Sequence, residues 1–173
     1  MKKYLLSFGV ISSILFMGAG CGAPTQKETL NLGNGTSVSV TKNTNTIPQG
    51  FPSEISVYPG AEITDSGISE ISTTNGDCKS DEKQNVKALT MMVKDKGVGL
   101  EAKKFYADAF TKAGWKIDPD SEMDMGTNGT RIVGFSAQKD NLKAAVLANE
   151  STTKDTTTPQ TTIVVYVQQC IKK

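Results

Sequence analysis

Four carboxylates at alternating positions, Asp118, Asp120, Glu122 and Asp124, form the densest group of potential ligands or acid–base residues in this sequence. Oxygen donors of this kind suit Ca²⁺, whose helix–loop–helix site needs glycine at the sixth place and a bidentate glutamate at the twelfth. Those places hold Met123 and Gly129, so the motif fails and a solvated acidic loop is the simpler reading. Paired carboxylates across a cleft would serve glycoside hydrolysis, but no spacing places two of them that way. The chain has no histidine. That removes the commonest general base and the commonest transition-metal ligand, and excludes Ser-His-Asp and Cys-His catalysis. Cys78 and Cys170 stand singly, without the Cys-x-x-Cys spacing of a zinc site. Gly97-Val98-Gly99 lacks the further glycine and the Gly-Lys-Ser/Thr of a phosphate loop. No catalytic residue, metal or cofactor is expected.

The third cysteine has a different setting. Met1-Lys2-Lys3 opens positively, an apolar run of about 14 residues follows to Met17, and Gly18-Ala19-Gly20 precedes Cys21. Positive start, apolar core and small-residue end are the parts of a secretory signal. The run is shorter than the roughly 20 residues of a membrane-spanning helix, although a retained anchor is the alternative. Gly18-Ala19-Gly20-Cys21 resembles the lipobox of bacterial lipoproteins, where the cysteine sulfur receives diacylglycerol and becomes the new N-terminus. Gly18 departs from the Leu usual at its position, and ordinary cleavage leaving a plain thiol is the other reading. With residues 1–20 as signal peptide and Cys21 lipidated, Cys78 and Cys170 remain as an even pair in an exported chain. A bridge between them would stabilise by roughly 4 kcal/mol in the chain-entropy account. Two unrelated buried thiols are the bland reading.

Composition restricts partners. The formal net charge is +1, and loss of Lys2 and Lys3 keeps it near zero. Nothing electrostatic therefore favours nucleic acid or an anionic membrane surface. Aromatics make up 6% of the chain, too few for base-stacking platforms.

The elements that must position any site read as follows. Residues 21–46 are rich in Gly, Thr, Asn, Ser and Lys and predict a lipid-anchored flexible stalk. Within it only Ser37-Val38-Ser39-Val40 alternates like a short edge strand. Residues 47–173 form the domain. Pro48, Pro52 and Pro59 keep the entry extended, and Tyr58-Pro59-Gly60-Ala61 fits a turn with glycine where positive φ is needed. Strands are expected over 61–72, with a bulge at Gly67, and over 86–94. A helix follows on the spacing of Leu100, Phe105, Ala109, Phe110 and Ala113, capped by Gly114. Strands 131–139 and 142–149 meet at an Asp140-Asn141 turn, and 162–170 is the most β-prone run. Loops are expected over 72–85, 118–130 and 150–161. The fold class is α+β: a mostly antiparallel sheet of about five strands with one helix packed across one face.

Phe51-Pro52, Val57-Tyr58-Pro59-Gly60-Ala61, Lys104-Phe105-Tyr106 and Ala113-Gly114-Trp115 together resemble a domain common in bacterial lipoproteins and secreted proteins. That domain shows an FP…YPGA entry and an FY…L…GW helix signature, with Phe110 here at the usual Leu. The resemblance covers about residues 47–118 and implies a fold and an address, handing over no catalytic residues. Phe105 and Trp115 read as anchors of helix to sheet. Tyr58, Tyr106 and Trp115 are the candidates for partner contact, since a phenol or indole suits a recognition rim.

Two functions follow. One is a non-catalytic envelope module, held to the membrane by the lipid on Cys21 at its extracytoplasmic face and binding an envelope protein or glycan. The other is a cell-envelope hydrolase with an unrecognised carboxylate site. Two acids in a concave pocket with divergent environments would favour the enzyme; a filled core would favour the module.

Overall fold

The structure, a computed structural model, describes residues 27–33, 36–42, 45–72, 78, 81–95, 97–127, 130–151 and 160–172. The expected signal peptide, residues 1–20, and the expected lipidation site Cys21 lie outside the described residues. One eight-stranded sheet dominates, in the order β1-β2-β3-β4-β8-β7-β6-β5, with every neighbouring pair antiparallel. The strands are β1 (Lys27–Gly33), β2 (Thr36–Lys42), β3 (Glu62–Ser72), β4 (Glu82–Val93), β5 (Lys116–Thr127), β6 (Thr130–Lys139), β7 (Leu142–Ser151) and β8 (Gln160–Lys172). A single described helix, α1 (Gly99–Lys112), packs chiefly across β6 and β7. The α+β class with one helix on a mostly antiparallel sheet is therefore found, with eight strands in place of about five.

Two of the extra strands come from the segment expected to be a stalk. Val38 and Val40 alternate with serines, and β2 pairs along β3 from Ser37↔Ser72 to Lys42↔Gly67. Pairing satisfies the backbone of a polar segment, and the two valines are 4% and 6% exposed. The flexible-stalk expectation is thus corrected for the described residues 27–33 and 36–42, which extend the sheet. The third is β5, expected as part of an acidic loop. It pairs with β6 in two stretches separated by a break in register between Asp118 and Met123, the sign of a bulge. Carboxylates at alternate positions disguise a strand as a solvated loop. The bulge in β3 falls between Ile63 and Asp65, not at Gly67.

β8 carries Ile163-Val164-Val165-Tyr166-Val167 between β4 and β7 and is central as expected. Its odd residues join Leu89, Met91, Val133, Phe135 and Val146 on the face that α1 covers. Its Tyr166 faces the other way, into a second cluster with Val38, Val40, Val86 and Ala88. The sheet centre is therefore buried on both sides.

The helix's inner face only partly follows its apolar spacing: Phe110 is buried and Phe105 and Ala113 pack against the core, but the face is centred elsewhere. Gly99, Ala102, Tyr106 and Phe110 are buried, at intervals of one helical turn, whereas Leu100 is 43% exposed. Tyr106 can occupy the inner face because its hydroxyl donates to the Ser56 carbonyl at 2.9 Å. At the C-terminus Trp115 N–H reaches the Phe110 carbonyl and Gly114 N–H the Thr111 carbonyl, with Gly114 at φ +84°. This is the glycine cap read from the sequence, closed by the Phe110–Trp115 ring contact at 4.9 Å.

Candidate functional site

The entry segment 45–61 lies over the helix-covered face beside α1 and folds through three tight turns. Phe51 N–H bonds the Pro48 carbonyl, Ile55 N–H that of Pro52, and Ala61 N–H that of Tyr58. Phe51 and Ile55 are buried in the main core. Where this cover stops, it leaves a hollow of about 370 Å³ between itself and the central strands β4 and β8, beside the start of β7.

Sheet register builds the floor. Asn85 of β4 stands opposite Gln169 of β8, and Gln169 stands opposite Leu142 of β7. One pleat further in, Lys87 stands opposite Val167. Gly50, Pro52, Ser53 and Glu54 make the wall, and Asn141 of the β6–β7 turn reaches the rim. Lys87 is held by donating its ammonium to the Gly50 carbonyl. Glu54 is held from the other side. Its Oε1 accepts from Trp115 Nε1–H at 3.1 Å and from Lys139 Nζ at 3.3 Å. Hydrogen bonding to its own backbone keeps the Glu54 carboxyl below the ordinary carboxylate value; burial opposes this, and the bonds from Trp115 and Lys139 add to the lowering. A carboxylate stabilised in its charged form is poorly suited to donate a proton near neutrality.

The residues singled out from the sequence fall elsewhere. Cys78 and Cys170 are bridged, with sulfurs 2.04 Å and Cα atoms 5.5 Å apart, across a separation of 92 residues. Cys170 lies opposite Gln84, so the bridge pins the segment before β4 to the last strand. The Glu82 carboxylate comes within 4.8 Å of both sulfurs. Neither sulfur is a free thiolate, however, and thiolate is the form that ligates metal.

Tyr106 is fully buried and Trp115 is 3% exposed. As candidates for partner contact both are corrected: each spends its polar atom inside the domain, on Ser56 and Glu54 respectively. Burial pushes the Tyr106 phenol well above its ordinary value. Tyr58 is half-buried, stacked edge-on against Phe105 with centroids 5.4 Å apart. Its phenol is raised by burial, then by the Glu101 charge.

The acidic run does not converge. Glu122 pairs with Lys103 at 2.6 Å, Asp124 grips Arg131 through bonds of 2.9 and 2.8 Å, and Asp118 accepts the Asp120 N–H at 3.0 Å. Three of the four carboxylates thus have their own partners.

Comparison with protein-family models, with curated proteins and with solved structures finds no match. The hollow's polar residues come from four separate segments, the entry turns, β4, the β6–β7 turn and β8. No local motif joins them. The only signal in the sequence is polar residues where β4 and β8 would otherwise continue an apolar face: Asn85 and Lys87 before Leu89, Gln169 after Val167.

Proposed function

We propose that this chain is exported, tethered through a lipid on Cys21 to the extracytoplasmic face of a cell membrane, and that its domain is a non-catalytic binding module of the envelope. The observation that carries the reading is the order Lys2-Lys3, apolar run, Gly18-Ala19-Gly20, Cys21. The Cys78–Cys170 bridge supports it in two ways. Disulfides persist in oxidising, extracytoplasmic settings, and the bridge leaves Cys21 as the remaining one of three cysteines.

The non-catalytic part rests on the carboxylates. The hollow is lined by one acid, Glu54, whose pKa is lowered, not raised. Glu122 and Asp124 are each neutralised by a neighbouring cation. A partner in the envelope, protein or glycan, fits a domain whose core is filled on both faces of the sheet and which leaves a polar hollow at its surface.

Metabolic labelling with radioactive palmitate tests the anchor. The wild type should take up label and accumulate as precursor under globomycin, while Cys21→Ser takes up none and leaves the membrane fraction. A Cys21→Ser protein that still fractionates with membranes overturns the reading.

A further inference from the structure

We infer that the hollow between the entry turns and the central strands β4 and β8 is a binding site for a neutral saccharide. The inference rests on the domain being a binding module and names its ligand class. Three carboxamides, Asn85, Asn141 and Gln169, line the hollow, and their side chains form no hydrogen bond to another described residue, although Asn85 and Gln169 are paired through their backbones. Each carboxamide offers both donors and an acceptor. The group that answers such a set at every position is one that also donates and accepts, and a sugar hydroxyl does so.

Charge narrows the class further. Glu54 and Lys87 face the same space with opposite charges, and both are fixed, Glu54 by Trp115 and Lys139, Lys87 by the Gly50 carbonyl. The hollow therefore carries no net charge from its lining. A strongly anionic or cationic ligand would leave one of the two opposed by a like charge. A neutral polyol can instead accept from Lys87 and donate to Glu54. Charge-assisted bonds of this kind are roughly twice as strong as neutral ones.

Size and floor agree. A volume of about 370 Å³ is near the lower end of the range for small-molecule sites, about 300–1,000 Å³. Val167, Leu142 and Pro52 give an aliphatic patch among the polar groups, against which the C–H face of a sugar ring can lie. The site is preorganised, because its floor residues sit on paired strands and its wall on hydrogen-bonded turns.

The domain also contains a reporter. Trp115 is the chain's single tryptophan, and its indole bonds the carboxylate in the wall of the hollow. A ligand that draws on Glu54 should change its emission.

The test titrates the full-length protein, purified in detergent, with chitotriose, cellotriose and maltotriose, and with trigalacturonate as the charged control. Calorimetry and Trp115 fluorescence are read in parallel. We expect saturable binding of at least one neutral trisaccharide, weakened about tenfold in Asn85→Ala and in Gln169→Ala, with unfolding midpoints unchanged. Absence of saturable binding by every neutral trisaccharide overturns the inference. Binding that neither substitution weakens overturns it too, as does tighter binding of trigalacturonate. Failure here leaves the lipid anchor and a protein partner standing. New reducing ends in the incubation would remove the non-catalytic reading while keeping the saccharide site.

Discussion

The indole N–H of Trp115 donates to Glu54 Oε1 at 3.1 Å, joining the residue just past the helix cap to a turn 61 residues earlier. Through this bond the cap of α1 and the wall of the hollow are one structure. Helix, entry segment and site should therefore loosen together.

Glu54 sets a pH dependence, chiefly through the hydrogen bond from its own backbone and then through Trp115 and Lys139. Glu54 has a folded-state pKa below its ordinary value, so its contribution is complete above the unfolded pKa and is lost as pH falls through the folded one. Unfolding midpoints of wild type and Glu54→Gln should differ most near neutrality. The gap should narrow between about pH 5 and pH 2 as the wild-type carboxyl is protonated. Asp124 titrates in the same direction, but it is present in both proteins and cancels. A gap constant across this range would show that the Glu54 charge does not matter.

The bridge makes a counting prediction that also bears on the anchor. With Cys78 and Cys170 joined, and if the Cys21 sulfur carries the proposed thioether, the denatured, processed protein should show no free thiol. Two should appear after reduction. Reduction should also cost roughly 4 kcal/mol of stability in the chain-entropy account, read from urea midpoints with and without reductant. Two free thiols before reduction would end the bridge.

Gly99 and Glu150 form a matched pair. The buried Glu150 accepts the Gly99 N–H at 2.6 Å, satisfying a donor of the first helical turn from a neighbouring strand. A Cβ on Gly99 would lie 2.4 Å from that carboxylate oxygen. Gly99→Ala should therefore lose about 1–3 kcal/mol in chemical unfolding. Glu150→Ala should lose a similar amount, and the double variant clearly less than the sum. Additive losses would mean that the two act apart.

Tyr106→Phe removes one hydroxyl, which also lies 3.4 Å from Met91 Sδ. The phenol donates to the Ser56 carbonyl from a fully buried ring, so removing the oxygen should cost about 0.5–1.5 kcal/mol. Phe110→Ala, which empties a buried ring site, should cost about 3–5 kcal/mol. Equal losses would contradict the packing.

Much of the middle of this fold was legible in the sequence, because local chemistry dictates it. Gly114 after an amphipathic run, Asp140-Asn141 between two alternating segments, and Tyr58-Pro59-Gly60-Ala61 all form the turns their residue types require. The edges of the sheet were legible only in part. Ser37-Val38-Ser39-Val40 alternates like a strand and is one, but its polar surroundings hid how far the sheet extends, because the segment is ordered by pairing with the edge of β3. The run from Asp118 to Asp124 looks like a loop until β6 supplies partners and Arg131 a counter-charge. The hollow was invisible for a different reason. Asn85 and Gln169 meet only through the pairing of β4 with β8, and no spacing along the chain records that register.

That pairing also decides when the domain can exist. β8 comes last in the chain yet lies in the middle of the sheet, between β4 and β7. Until it arrives, the strands before α1 and those after it are two half-sheets, each with its innermost edge open to any passing strand. The final strand acts as a keystone, and it brings Cys170 with it to be locked to Cys78. Until β8 is in place the centre of the sheet stays open, and its arrival closes the two halves from the centre outward.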